Sequence, residues 1–160
     1  MRTAILALAG LLLAVTVALG QPKPDFTGTW RLDASRSNSA AHGSAPRAVT
    51  VEIAQTPAEV RITTTSSEGS GTTSYTIAPS ETPSLAATST TPTARWVGAA
   101  LQTDAIRNIS GQSVTVRETR QLSADGNEMT VDSIVNVQHG YSLAGAQTYG
   151  ASKDVFVRVR

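Results

Sequence analysis

The sequence has no cysteine, only 4% aromatic residues and only 16% charged residues in 160 positions. Without cysteine there can be no disulfide, no thiolate metal centre, no thiol nucleophile and no lipid-modified cysteine. The aromatics are two Trp, three Tyr and two Phe. A core must therefore be built mainly from Val, Ile, Leu, Ala and Thr. The net charge is +1, and the Lys and Arg residues form no cluster. Nucleic acid and anionic membrane surfaces are excluded as partners on this ground, because both are recognised through summed positive charge. Helical periodicity sustained over three turns is also missing after residue 20, which argues against a helical domain.

The one long apolar run lies at the start. Arg2 precedes an unbroken stretch from Ala4, and Ala18-Leu19-Gly20 places small residues at the two positions that matter for cleavage. Residues 1–20 read as a secretory signal peptide, with Gln21 as the new N-terminus. The run is short for a membrane span, so no membrane anchor is expected in the mature form. Of the 13 basic residues only Arg2 lies in this segment, so residues 21–160 carry 12 basic and 12 acidic side chains and are neutral. That length suffices for one domain with one core. An exported domain without disulfides fits a bacterial periplasmic or secreted protein better than a eukaryotic extracellular one.

The mature chain alternates apolar and polar residues with a period of two, so an all-β domain is expected. Phe26, Gly28, Trp30 and Leu32 share one face of a first strand. Residues 34–46 lose all pattern and read as a long surface loop, a candidate lid. Next, Val49, Val51 and Ile53 oppose Val60, Ile62 and Thr64 across a four-residue loop at 55–58. That count sets Ile53 against Val60 and Glu52 against Arg61. A turn at 66–71 leads to a strand at 72–78, and the Ser/Thr/Pro-rich stretch 79–92 holds at most a short strand near 85–90. Gly98-Ala99 joins strands 93–97 and 100–109. Asp125-Gly126 suits a two-residue type I′ hairpin between 112–124 and 127–138. Counted from it, Leu122 faces Met129, Val116 faces Val135 and Val114 faces Val137, so turn chemistry and apolar pattern agree. Residues 139–152 read as a loop, and 153–160 as a last strand with Val155, Val157 and Val159 on one face. Eight to ten antiparallel strands result. An up-and-down barrel removes its own edges and is the expected architecture, with a two-sheet sandwich as the alternative.

Asp25-Phe26-Thr27-Gly28-Thr29-Trp30 resembles the G-x-W first strand of lipocalins and related calycin barrels. The mature chain as a whole is similar to small exported bacterial lipocalin-like proteins with an F-x-G-x-W-x-L opening, a W-x-G hairpin (Trp96-Val97-Gly98) and a D-G hairpin. The resemblance implies that Trp30 packs across the closed end of the barrel under an arginine from the last strand, Arg158 or Arg160. Thr103-Asp104-Ala105 departs from the lipocalin T-D-Y segment, and no C-terminal helix is present.

Two charges stand at inward positions. Glu118 and Arg120 share the parity of Val114, Val116 and Leu122, facing Ser133 and Val131 across the hairpin. Buried charge must be paired or wet. The pair either lines a polar part of a cavity, able to orient a ligand's carboxylate or hydroxyl, or forms a structural ion pair, or is turned outward by a bulge. Trp30, Tyr75 and Trp96 are the large side chains able to fill or line the barrel. Candidate ligand-binding residues are thus Trp30, Tyr75, Trp96, Glu118 and Arg120. His42 and His139 stand isolated in loops and make no metal site. The segment Gly140–Gly145 is one residue too long for a nucleophile elbow, and Gly69-Ser70-Gly71 precedes no helix that would make it a phosphate loop. No catalytic residues, metal or cofactor are expected. The sequence points to a non-enzymatic barrel for a small apolar or amphipathic molecule. The alternative is a structural or protein-interaction β-domain with a filled core.

Overall fold

The structure, a computed structural model, describes residues 22–38, 48–78, 91–109, 112–138 and 147–160. The strands are β1 (Gly28–Leu32), β2 (Thr50–Gln55), β3 (Glu59–Ser66), β4 (Gly69–Ile77), β5 (Thr93–Val97), β6 (Ala100–Ile109), β7 (Gln112–Leu122), β8 (Glu128–Gln138) and β9 (Gln147–Arg158). They pair in chain order, and β9 returns to β1 to close a single barrel. The described residues contain no helix. The all-β barrel expected from the sequence is therefore present, and the sandwich is not. The expected signal segment, the histidines, most of the 34–46 loop and the stretch near 85–90 lie outside the described residues.

Alternation decides what is inside. Trp30, Ile53, Val60, Ile62, Tyr75, Ala94, Leu101, Met129, Val131 and Phe156 are buried and form one cluster with Phe26, while their sequence neighbours face outward. On β9 the buried residues are Ser152 and Phe156, so the Val155, Val157 and Val159 set forms the outer face.

Four local expectations need correction. First, β4 and β5 are parallel, joined through Thr76 with Thr93 and Ile77 with Ala94, so the barrel is mixed. A parallel neighbour requires a crossover of a dozen or more residues, and the 15 residues between Ile77 and Thr93 supply it. Second, β2 and β3 pair two residues away from the expected register, with Ile53 opposite Ile62 and Glu52 opposite Thr63. Thr56 N donates to the Glu59 carbonyl (2.8 Å) and Thr56 Oγ1 accepts from Glu59 N (2.9 Å), which moves the turn to 56–59. A two-residue slip keeps every side chain on its face, so the apolar pattern is blind to it. Third, the β3–β4 turn is the dipeptide Ser67-Glu68, and Gly69, Ser70 and Gly71 already belong to β4. Fourth, β9 starts at Gln147 within the expected loop; a bulge between Ile134 and Val135 skips Gly150 and breaks the period-two signal.

The β7–β8 hairpin keeps its expected register throughout, including Glu118 with Ser133 and Arg120 with Val131. Its turn is longer than a two-residue loop: Ser123 N donates to the Glu128 carbonyl, and Gly126 N to the Ser123 carbonyl, both at 2.9 Å. Gly126 takes the left-handed conformation (φ 69°). Asp125 accepts from Ser123 Oγ and from Asn127, bonds that hold its carboxyl down at about 2. Both turn geometries share one symmetry point between Asp125 and Gly126, which is why the register survives the change of turn.

The segment before β1 plugs the end of the barrel where this turn lies. Phe26 N donates to Gln55 Oε1, and Gln55 Nε2 donates to the Pro24 carbonyl, both at 3.1 Å. Trp30 Nε1 donates to the Phe26 carbonyl at 2.9 Å. Arg158, rather than Arg160, covers Trp30, its guanidinium carbon 4.2 Å from the ring centroid. The same guanidinium donates to the carbonyls of Thr27 (2.6 Å) and Gly126 (3.0 Å). Gly28 makes room: its φ is 138°, and a Cβ there would lie 2.7 Å from Arg158 Nη1. Gly28→Ala is therefore expected to cost about 2 kcal/mol or more in urea unfolding, combining backbone strain with displacement of Arg158. Gly69→Ala, at φ 137° with nothing within 4 Å, carries the strain alone. An equal loss for both would show that the Arg158 contact contributes nothing.

Candidate functional site

Above the plug the interior changes character. Thr103, Glu118, Ser133 and Ser152 stand side by side on β6, β7, β8 and β9, each the direct partner of the next. All four are inward by alternation, and Thr103, Ser133 and Ser152 are buried. Together they form a polar belt across nearly half the wall. Arg120, two residues along β7 toward the plug, is 4% exposed and bonds back up to the belt. Its Nη1 donates to Thr103 Oγ1 at 2.7 Å, and its Nη2 to Glu118 Oε2. Its Nε is buried and, among the described residues, has no hydrogen-bond partner. An orphaned buried donor costs about 1–3 kcal/mol and calls for an explanation.

The apolar cluster with Leu101, Met129, Val131 and Phe156 forms a dry floor beneath Arg120. On the other side the described inward positions are mixed: Ala105 and Val114 are buried. Val116 and Val135 are partly exposed, and Thr64 and Gly71, partners on β3 and β4, are exposed although alternation turns them inward. No heavy atom of the described residues, apart from its chain neighbours, lies within 4 Å of a Cβ built on Gly71. Open space therefore adjoins the inner face of β4 above the belt. The Glu118 side chain, 28% exposed, sits at the boundary.

Of the residues singled out in the sequence, the structure brings Glu118 and Arg120 together as an inward ion pair. The outward bulge is thereby excluded. Trp30 is fully buried at the plug, under Arg158, and Tyr75 is buried in the floor opposite Val60. Trp96 is half-buried at the plugged end, its ring 6.2 Å from Phe26 and 5.6 Å from Lys23 Nζ. These three aromatics do not converge with Glu118 and Arg120 at the belt. Thr103, Ser133 and Ser152 were missed as members of the site. Ser133 was visible from the hairpin count, whereas Thr103 and Ser152 needed the β6–β7 and β8–β9 registers, which no turn signal supplied. Among the described residues no three His, Cys, Asp or Glu side chains gather to hold a metal ion.

No protein-family model and no curated protein matches the chain. Solved structures similar to it include the fluorescent protein UnaG (TM-score 0.47, 13% identity, covering 84% of this chain and 97% of that one). A variant of the REP1-NXSQ fatty acid transporter is also similar (TM-score 0.45, 16% identity, 83% and 97% covered). So is a zebrafish ileal bile acid-binding protein complexed with cholic acid (TM-score 0.43, 12% identity, 84% and 98% covered).

The Arg120–Glu118 pair should behave as one unit. Glu118→Leu leaves a buried guanidinium uncompensated and is expected to cost about 3 kcal/mol. Arg120→Met costs less, because Glu118 can reach water, and the double variant recovers most of the loss. Urea unfolding of the four proteins measures the coupling; strictly additive losses would show that the two side chains do not support each other.

Proposed function

We propose that this protein is an exported, non-enzymatic binding barrel that holds a small apolar or amphipathic molecule above the polar belt, its polar end toward Arg120. The observation that carries the reading is the orphaned, buried Nε of Arg120, on the inner wall of a closed barrel. The open space at Gly71 supports it. Small-molecule sites are apolar cavities with a few placed polar groups, and a ligand oxygen at Nε would relieve the unmet donor. Export to the periplasm or beyond rests on residues 1–20; protein recovered from its host should begin at Gln21, and recovery inside the cell with residues 1–20 still attached would refute it.

Nile red, a neutral dye that fluoresces in apolar surroundings, is expected to bind the purified domain with one-to-one stoichiometry. Gly71→Trp should fill the open space and weaken that binding about tenfold or more (1.4 kcal/mol per decade). Thr72→Trp, on the outer face, should leave it unchanged. Equal effects of the two substitutions would place the dye on the surface and sink the reading. The alternative of a filled-core interaction domain draws on the packed floor. Lack of dye uptake by the unmodified protein would favour it.

A further inference from the structure

Two more polar groups inside the barrel lack partners, and their placement bears on the ligand's polar end. We propose that this end carries more than one hydroxyl group, as in a monoacylglycerol, and that Ser133 and Ser152 dock it together with Arg120. The inference rests on the binding reading above and names the ligand class of that same site.

Ser133 and Ser152 are direct partners on β8 and β9, 9% and 5% exposed. Among the described residues neither hydroxyl has a hydrogen-bond partner. Arg120 Nε is the one fully enclosed side-chain nitrogen or oxygen there without a partner. The two serine oxygens are therefore reached from open space, and alternation turns both toward the interior. A hydroxyl withdrawn from bulk water without a bond is a standing cost, and a core selected for packing alone would carry Ala at both positions.

The spread of these groups sets the chemistry of their partner. Arg120 and Thr103 meet at one end of the belt, and Ser152 stands at the other. Neighbouring strands lie about 4.8 Å apart, so β6 and β9 are roughly 14 Å apart along the wall. One oxygen with two hydrogen bonds of about 2.8 Å joins groups at most about 5.6 Å apart. A single ligand oxygen therefore cannot serve both ends, whereas hydroxyls on adjoining carbons can. Each donates one proton and accepts others, which suits a row where Arg120 donates, Glu118 accepts and the serines do both. A glycerol ester brings two such hydroxyls and a carbonyl, and its acyl chain runs on toward the space beside Gly71. Ser133 and Ser152 thus act as specificity-determining residues: they distinguish a head with several oxygens from a lone hydroxyl.

The test is competition for bound Nile red by two uncharged ligands of equal chain length, monododecanoylglycerol and dodecanol. The unmodified protein should bind the glycerol ester about tenfold or more tightly than the alcohol. Ser133→Ala combined with Ser152→Ala should cut that preference about fivefold or more by weakening the ester alone. Urea unfolding of this variant should be no easier than before, because no hydrogen bond within the protein is lost. Thr130→Ala, on the outer face of β8, should leave the preference unchanged. Equal binding of the two ligands, or a preference that survives the serine substitutions, overturns the inference and leaves the binding reading intact. Absence of dye uptake by the unmodified protein overturns the binding reading and the inference with it. Should the double variant not fold, the comparison in the unmodified protein still decides.

Discussion

The guanidinium of Arg158 against the indole of Trp30 is the interaction on which the rest of this barrel depends. It ties the last strand to the first, where a β-sheet must join its own ends to be rid of edges. A cation over an aromatic face contributes about 0.5–2 kcal/mol, more when water is excluded. Here the same group also donates to backbone carbonyls of the segment before β1 and of the β7–β8 turn, so one side chain anchors three parts of the chain. Trp30 in turn donates to Phe26, whose ring lies beside Trp96. Among the described residues, Phe26, Trp30 and Trp96 gather at this end. The result is a solid floor, and the space that small Val, Ala, Thr and Gly side chains leave lies away from it.

That asymmetry gives the interior its order. Below lies a dry cluster, in the middle a belt of hydroxyls with one ion pair, and above it buried Ala105 and Val114 beside the more accessible Val116, Val135, Thr64 and Gly71. Placing Arg120 at the boundary has an energetic consequence: the pair with Glu118 offsets the desolvation of both charges only in part, and the unbonded Nε leaves a residual cost. A domain selected for stability alone would do better with Leu and Met at these two positions. Their presence at the edge of accessible interior is the observation on which the proposed binding site rests.

Much of this was legible before any coordinates. Period-two alternation marked the strands, and the hairpin at Asp125-Gly126 gave a residue-by-residue register that holds over ten pairs. The same count turned Glu118 and Arg120 inward, where they are found. Other features escaped for physical reasons. A slip of two residues between β2 and β3 leaves every face unchanged, so only the hydrogen bonds of Thr56 to Glu59 could reveal it. The start of β4 is Gly-Ser-Gly, which carries no apolar signal, yet its backbone pairs as well as any other. At Gly150 the bulge shifts the phase of β9, and a pattern that changes phase reads as no pattern. The direction of β5 depends on where fifteen crossover residues return, which neither turn chemistry nor alternation encodes.

By itself the sequence determined the class of fold, the faces of most strands, one complete hairpin and the two charges that point inward, because alternation and turn preference are local properties of the chain. Closure into a barrel, the choice of Arg158 over Arg160, the parallel pair and the assembly of Thr103, Ser133 and Ser152 around Glu118 and Arg120 were decided only by tertiary structure. These depend on the registers of strands far apart in sequence, and a register is set by the packing of all the strands together.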